Sequence, residues 1–174
     1  MMFCGDIWEQ KDKLVSYYKE SFPDPPFVVI ATPPCQGMSS NGMGTILNNS
    51  KKGERPELDP RNKLIIPAVD VIKQLKPEWV ILENVPKMLS TVIEAGQERV
   101  NIIDYINREL GDEYVGKPEV VDVANYGVPQ HRSRLITILT RTERGKAEFK
   151  ETGRLLPDPT HSGEVTMFTR KWIT

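Results

Sequence analysis

The 174-residue chain has only two cysteines, Cys4 and Cys35, and only two histidines, His131 and His161. Two cysteines in unlike surroundings argue against a disulfide framework and fit a reducing compartment. No C-x-x-C is present and neither histidine has a partner at ligand spacing, so neither a dithiol redox motif nor a metal site is expected. No uncharged apolar run is long enough to span a bilayer, and no signal-peptide pattern follows Met1. The expected location is the cytoplasm, with nucleoid association if the host is prokaryotic. An excess of one charge is missing too: 23 basic and 24 acidic residues leave a net charge of −1. That balance neither marks nor excludes nucleic acid, because a local basic groove binds phosphate whatever the total. Repeats and low-complexity runs are absent, and Gly42-Met43-Gly44 joins no strand directly to a helix, so it is no dinucleotide fingerprint. The length suits one domain with a core of its own.

What the chain does have is a stiffened thiol. The apolar run Phe27-Val28-Val29-Ile30-Ala31 begins after Pro25-Pro26 and reads as a parallel-sheet strand buried on both faces. Pro33 and Pro34 stop it and hold the backbone extended into Cys35. Cys35 is thereby placed at a strand's carboxyl end, where open α/β sheets carry their chemistry. A free cysteine is more often buried and inert, and the strand with its prolines leaves the two readings level.

Upstream, Leu14, Val15 and Tyr18 fall at helical spacing within residues 8–20, and Phe22-Pro23 ends that helix. Downstream, the polar stretch 39–59 carries Lys51, Lys52 and Arg55 and is long enough to be functional or disordered. Asp59-Pro60 then supplies a cap and a first-turn proline for a helix of roughly four turns through Leu64, Ala68, Val71 and Leu75. Pro67 marks either a kink or the helix's true start. Trp79-Val80-Ile81-Leu82 is a second apolar strand, running into Glu83-Asn84-Val85. A second helix is expected from about residue 98 to 110, with Val100, Ile103, Ile106 and Leu110 on one face and Gly111 as its stop. Strands near 119–123 and 134–139, with no helix between them, form an antiparallel hairpin at the sheet's edge. From Arg141 the chain turns polar, with Pro157 and Pro159, and reads as a linker.

Cys35 and Glu83 thus end strands joined by a crossover helix, so both should face one crevice. A carboxylate directly after Val-Ile-Leu is costly to leave unpaired. It reads either as a salt-bridged or capping glutamate, or as a partly desolvated acid with a raised pKa that shares a proton near neutrality. Arg132 and Arg134, two apart at a strand start, point to one face; alone, such a pair is more often a solvent or phosphate contact. His131 lies on the other face and reads as surface.

Together, Pro33-Pro34-Cys35-Gln36, Glu83-Asn84-Val85 and Gln130-His131-Arg132-Ser133-Arg134 resemble, in order and spacing, the catalytic motifs of DNA cytosine-5 methyltransferases. Asp59-Pro60-Arg61 with Leu64 resembles the family's intervening helix motif, and Gly5-Asp6-Ile7 its adenine-contacting turn. The combination is far more specific than any one tetrapeptide. The resemblance implies an α/β fold of the Rossmann-like, S-adenosylmethionine-dependent class, here partial, with a mostly parallel sheet and an antiparallel edge hairpin. It implies catalytic roles for Cys35, Glu83, Arg132 and Arg134, and cofactor contacts at Asp6, Ile7, Pro34 and Leu64. The partner it implies is double-stranded DNA, met by Gln36 and Ser39, with Lys51, Lys52 and Arg55 adding backbone charge.

The family's Phe-x-Gly-x-Gly turn, its acidic ribose ligand and its target-recognition region have no counterpart in the sequence. The expected organisation is a partial catalytic domain over 1–140 and a linker over 141–174 toward an absent recognition region. A complementing polypeptide would carry the remaining motifs, and the isolated chain should bind S-adenosylmethionine poorly. Two other readings stand beside this one: a tRNA cytosine-5 methyltransferase of the same fold, and a non-catalytic remnant that binds nucleic acid. The run Gly37-Met38-Ser39-Ser40 looks more like the DNA enzymes.

Overall fold

The computed structural model describes residues 1–34, 38, 59–165, 167 and 169–172. Cys35, Gln36, Ser39, Lys51, Lys52 and Arg55 lie outside the described residues. Helix α1 (Ile7–Ser21) opens at Asp6, whose carboxylate accepts the Trp8 amide at 2.9 Å, and closes at Phe22 before Pro23. Its stripe of Leu14, Val15 and Tyr18 packs on Val71 and Leu75. Asp59 accepts the Arg61 amide at 2.9 Å and caps a single 3-10 turn, Pro60–Leu64, which leads into α2 (Ile65–Leu75). Pro67 therefore falls in the first turn of α2, where no N–H is needed, and marks the helix's start without kinking it. Lys76 ends the helix in the left-handed region at φ 49°, just before Pro77.

The main sheet has four strands in the order β1 (Val28–Ala31), β2 (Trp79–Asn84), β6 (Ser133–Thr140) and β5 (Val115–Asp122). β1 and β2 are parallel, with Val28 opposite Trp79; β6 runs antiparallel to β2 and to β5. The expected pair of neighbouring parallel strands and the antiparallel hairpin at the edge are both present. Helices α2 and α3 (Ile102–Leu110) cover one face of this sheet. Between them lie Val69, Ile72, Val80 and Ile102, all at 0 % exposure. Each such side chain contributes about 1.5–3 kcal/mol by leaving water.

The structure corrects two expectations and fills in a third. The helix expected from about residue 98 begins at Ile102, and Glu98–Asn101 forms strand β4, paired with β3 (Val92–Ala95). Gly96, at φ +66°, turns the chain between them, and Asn101 takes over the cap by accepting the Ile103 amide at 2.8 Å. Val100 suits a helix face and a strand equally, so periodicity alone misplaces it. Second, β1 is not buried on both faces. Val29 and Ala31 pack on the core, but Val28 is 37 % and Ile30 64 % exposed. Among the described residues, the helices that pack on β1 lie on its Val29 and Ala31 side, and Ile30 points away from them.

The third concerns the polar stretch from Arg141, which carries α4 (Glu143–Thr152) and the short pair β7 (His161–Ser162) and β8 (Arg170–Lys171). α4 is mostly exposed, so it needs no apolar stripe and periodicity does not reveal it. Arg154, just beyond it, pairs with Glu119 of β5 at 2.8 Å. Among the described residues no helix is long and apolar enough to cross a membrane.

Candidate active site

Because β1 and β2 are parallel neighbours, their carboxyl ends emerge side by side. β1 delivers Thr32, Pro33 and Pro34 there, and β2 delivers Glu83 and Asn84. Asn84, only 3 % exposed, ties the two ends together. Its Nδ2 donates to the Pro33 carbonyl at 3.0 Å, and its Oδ1 accepts the Val85 amide at 2.8 Å. The motif Glu83-Asn84-Val85 conceals this role, although an amide side chain closing an apolar strand needs a partner.

β6 returns antiparallel on the other side of β2, with Ile136 opposite Glu83. Arg134, two residues before Ile136, shares its face, and the Arg134 Nε meets the Glu83 Oε1 at 2.8 Å. The arginine side chain is 16 % exposed and the glutamate 35 %. The Arg134 Nη1 also donates to the Ser133 carbonyl at 2.8 Å, which fixes its direction. Glu83 is thus paired with Arg134 across the two strands. Its charge is balanced at a half-open crevice, within reach of an incoming ligand.

Arg132 precedes the strand and is exposed. Its backbone is firmly held: the amide donates to Asp122 Oδ1 at 3.0 Å and the carbonyl accepts from Val123 at 3.1 Å. Asp122 also accepts the Ala124 amide at 3.1 Å, and its other oxygen lies 2.7 Å from His131 Nδ1. Above all the His131 contact, then the two amides, holds its carboxyl below the usual carboxylate range. His131 is on the surface, as expected, yet its ring also meets Trp172 edge-on at 4.6 Å. The Trp172 indole N–H donates to Asn125 at 2.9 Å. Asp122, Asn125 and Trp172 together brace the turn that leads to Arg134, and none of them stands out in the sequence as a functional residue.

Asp6, Ile7, Pro34 and Leu64, read from three separate stretches of sequence, line one cleft of about 500 Å³ together with Ala31 and Ala68. Asp6 and Thr32 are the polar residues among its lining, which otherwise consists of glycine, proline and aliphatic residues. A largely apolar lining with one carboxylate-bearing and one hydroxyl-bearing residue fits the adenine end of S-adenosylmethionine, a flat heterocycle with a polar edge. Among the described residues no three His, Cys, Asp or Glu side chains gather where they could hold a metal ion.

The fold and site define a class first: an open α/β sheet with an acid–arginine pair and an apolar cleft at the carboxyl ends of its parallel strands. A prophage-encoded E. coli chain described as a DNA modification methyltransferase shares this fold, with a TM-score of 0.55 at 20 % identity over 90 % of this chain and 38 % of that one. The profile of the C-5 cytosine-specific DNA methylase family matches residues 2–169, and the chain belongs to that family. The type II methyltransferase M1.HgaI of Avibacterium volantium is 34 % identical over 142 residues, which cover 80 % of this chain and 37 % of the relative. M1.HphI of Haemophilus parahaemolyticus is 36 % identical over 135 residues, 78 % of this chain and 31 % of the relative. The chain spans about a third of the length of these curated relatives.

Proposed function

We propose that the chain is the nucleophile-bearing part of a DNA cytosine-5 methyltransferase, acting on a cytosine flipped out of double-stranded DNA. It works together with a complementing polypeptide that carries the remaining motifs. The observation that supports this reading is the Glu83–Arg134 pair, 2.8 Å apart at the end of β2, beside the cleft lined by Asp6, Ile7, Pro34 and Leu64. The relatives' names carry a type II setting, and restriction–modification is the role this reading takes from them.

A stacked cytosine is out of reach, so the base leaves the duplex before it reacts. Cys35 is the nucleophile. A free thiol with a pKa near ~8.5 is only slightly ionised at neutral pH, so the site favours the thiolate or takes its proton during attack. The sulfur bonds to C6, and the electron pair of the C5–C6 double bond moves toward C5. Glu83 holds or protonates ring N3 and Arg134 donates to O2, so the charge that develops across the ring is neutralised. Asp6, Ile7, Pro34 and Leu64 hold the adenine end of S-adenosylmethionine, which when bound supplies an electrophilic methyl group to C5. Loss of the C5 proton to water restores the C5–C6 double bond and expels the Cys35 thiolate. Arg132 steadies the turn beside the acid. Gln36, Ser39, Lys51, Lys52 and Arg55 are assigned to the nucleic acid.

The test is covalent trapping. With cofactor and the complementing segments, a duplex carrying 5-fluorocytosine should form an adduct, because fluorine at C5 blocks the final elimination. Cys35→Ala should abolish the adduct and Glu83→Gln should lower its yield by about 10²-fold or more. No adduct under any complementation would favour the non-catalytic remnant, and an adduct only with tRNA would move the substrate to RNA.

A further inference from the structure

We propose that Arg170 is a phosphate contact, and that with Arg132 it grips the DNA backbone beside the flipped cytosine, whereas its neighbour Lys171 does not. The proposal rests on the reading above and carries the nucleic-acid surface of that reading into the tail.

β7 and β8 pair in parallel, with His161 opposite Arg170 and Ser162 opposite Lys171. Alternation along a strand puts His161, Arg170 and Trp172 on one face and Ser162, Thr169 and Lys171 on the other. Contacts on both faces agree. The Ser162 Oγ lies 2.8 Å from the Thr169 Oγ1. On the first face, Trp172 meets the His131 ring at 4.6 Å and donates to Asn125 at 2.9 Å. A Cβ built on Gly127 would lie 3.0 Å from the His161 Cε1, so that ring too stands against the turn. The face that carries Arg170 is therefore the one turned to residues 123–132, which hold Arg132 and lead into Arg134. Backbone bonds fix it there. The Thr160 amide donates to the Asn125 carbonyl at 2.9 Å, the Arg170 amide to the Thr160 carbonyl at 2.8 Å, and the Trp172 amide to the Ser162 carbonyl at 2.9 Å.

The charges of this surface are unspent. Lys11, Lys63, Lys73, Lys76, Arg108 and Arg154 each meet a carboxylate. Arg132 and Arg170 are exposed, and neither side chain takes part in an ion pair or hydrogen bond among the described residues. Asp122, the carboxylate that grips this turn, is already engaged by His131 and by the Ala124 and Arg132 amides. Two guanidinium groups on a fixed backbone, with no carboxylate of their own, suit the phosphodiester group, which accepts the planar fork of an arginine in pairs of hydrogen bonds. Such contacts set the position of a duplex and read no bases. Extruding a base costs unstacking and unpairing, and the backbone beside it has to be held while the base turns out. Arg170 stands on the turn that delivers Arg134 to Glu83, where that hold is needed.

The experiment titrates fluorescein-labelled DNA duplexes of several sequences with the full 174-residue chain over a range of salt concentrations and reads fluorescence anisotropy. Arg170→Gln should bind about tenfold more weakly at low salt. Its log–log salt slope should be shallower by about 0.9, the mark of one lost phosphate contact, and the loss should be the same for every duplex. Lys171→Gln, on the other face of β8, and Lys150→Gln, exposed on α4, remove the same charge and should keep the parent slope. Circular dichroism of all three variants should match the parent. An unchanged slope for Arg170→Gln, an equal loss for Lys171→Gln, a loss confined to one sequence, or a parent chain that binds no duplex would each overturn the proposal. The trapping assay keeps the two readings apart. A slope that falls as expected without any adduct defeats the methyltransferase reading alone, and an adduct from a chain whose DNA binding is indifferent to Arg170→Gln defeats the phosphate contact alone.

Discussion

Asn84 and Glu83 are sequence neighbours with opposite surroundings. Glu83 faces the half-open crevice and Arg134, whereas Asn84 is buried and spends its amide on the Pro33 carbonyl and the Val85 N–H. The alternation of a strand separates them: one side chain meets the crevice while the other holds the crevice's two walls together. Asn84→Ala removes the strut and leaves the part-buried Pro33 carbonyl and Val85 amide without it. A loss of about 1–3 kcal/mol is expected, read as a lower denaturant midpoint with an unchanged slope. Because Asn84 fixes the carbonyl two residues before Cys35, the same variant should also lower the adduct yield under native conditions.

At the scale of elements, the β5–β6 hairpin delivers Arg134, and its register depends on close backbone approach. Gly116 of β5 has φ +147°, and a Cβ there would lie 2.0 Å from the Ile138 carbonyl oxygen. That contact is backbone, so the strands would have to separate. Gly116→Ala should destabilise the chain by about 1–3 kcal/mol and raise hydrogen exchange along β5 and β6 in preference to α1. The far end of the hairpin is held differently, by Asp122 gripping the Arg132 amide and His131, and by Trp172 against His131 and Asn125. The tail beyond α4 thus reaches back to brace the turn that carries the arginines.

At the scale of the whole molecule, two phenols report on the closed core. Burial pushes the Tyr105 and Tyr114 hydroxyls up to about 12, against about 10 in an unfolded chain. Tyr114 also donates to the Pro77 carbonyl at 2.7 Å, which ties the β5 side of the sheet to the end of α2. The fold favours the neutral phenol, so this stabilisation is complete below about pH 10 and is lost as pH rises toward about 12. Urea midpoints should fall across that window, and a Tyr105→Phe/Tyr114→Phe chain should show a flatter decline. The absorbance change of tyrosinate ionisation should coincide with the loss of stability.

Much of this was legible in the order of residues. Prolines at 33 and 34, the cap Asp59-Pro60, the apolar run of β2 and the three stretches that resemble the family's motifs are local signals, readable because breakers and caps act within a turn or two. The helical stripe of α1 was equally plain. The hairpin at Gly96 escaped, because Val100 satisfies both periods, and so did α4, because an exposed helix needs no apolar stripe. The sequence by itself determined which reactive groups exist and which strands carry them. Only the tertiary structure decided that Arg134 is the arginine that meets Glu83 and that Asn84 reaches Pro33 across 51 positions. It also decided that Asp6 and Leu64 wall one cleft, and that Ile30 of β1 is exposed where Val29 and Ala31 are packed. Those outcomes depend on register and on which helices cover which face, and no local rule of sequence contains either.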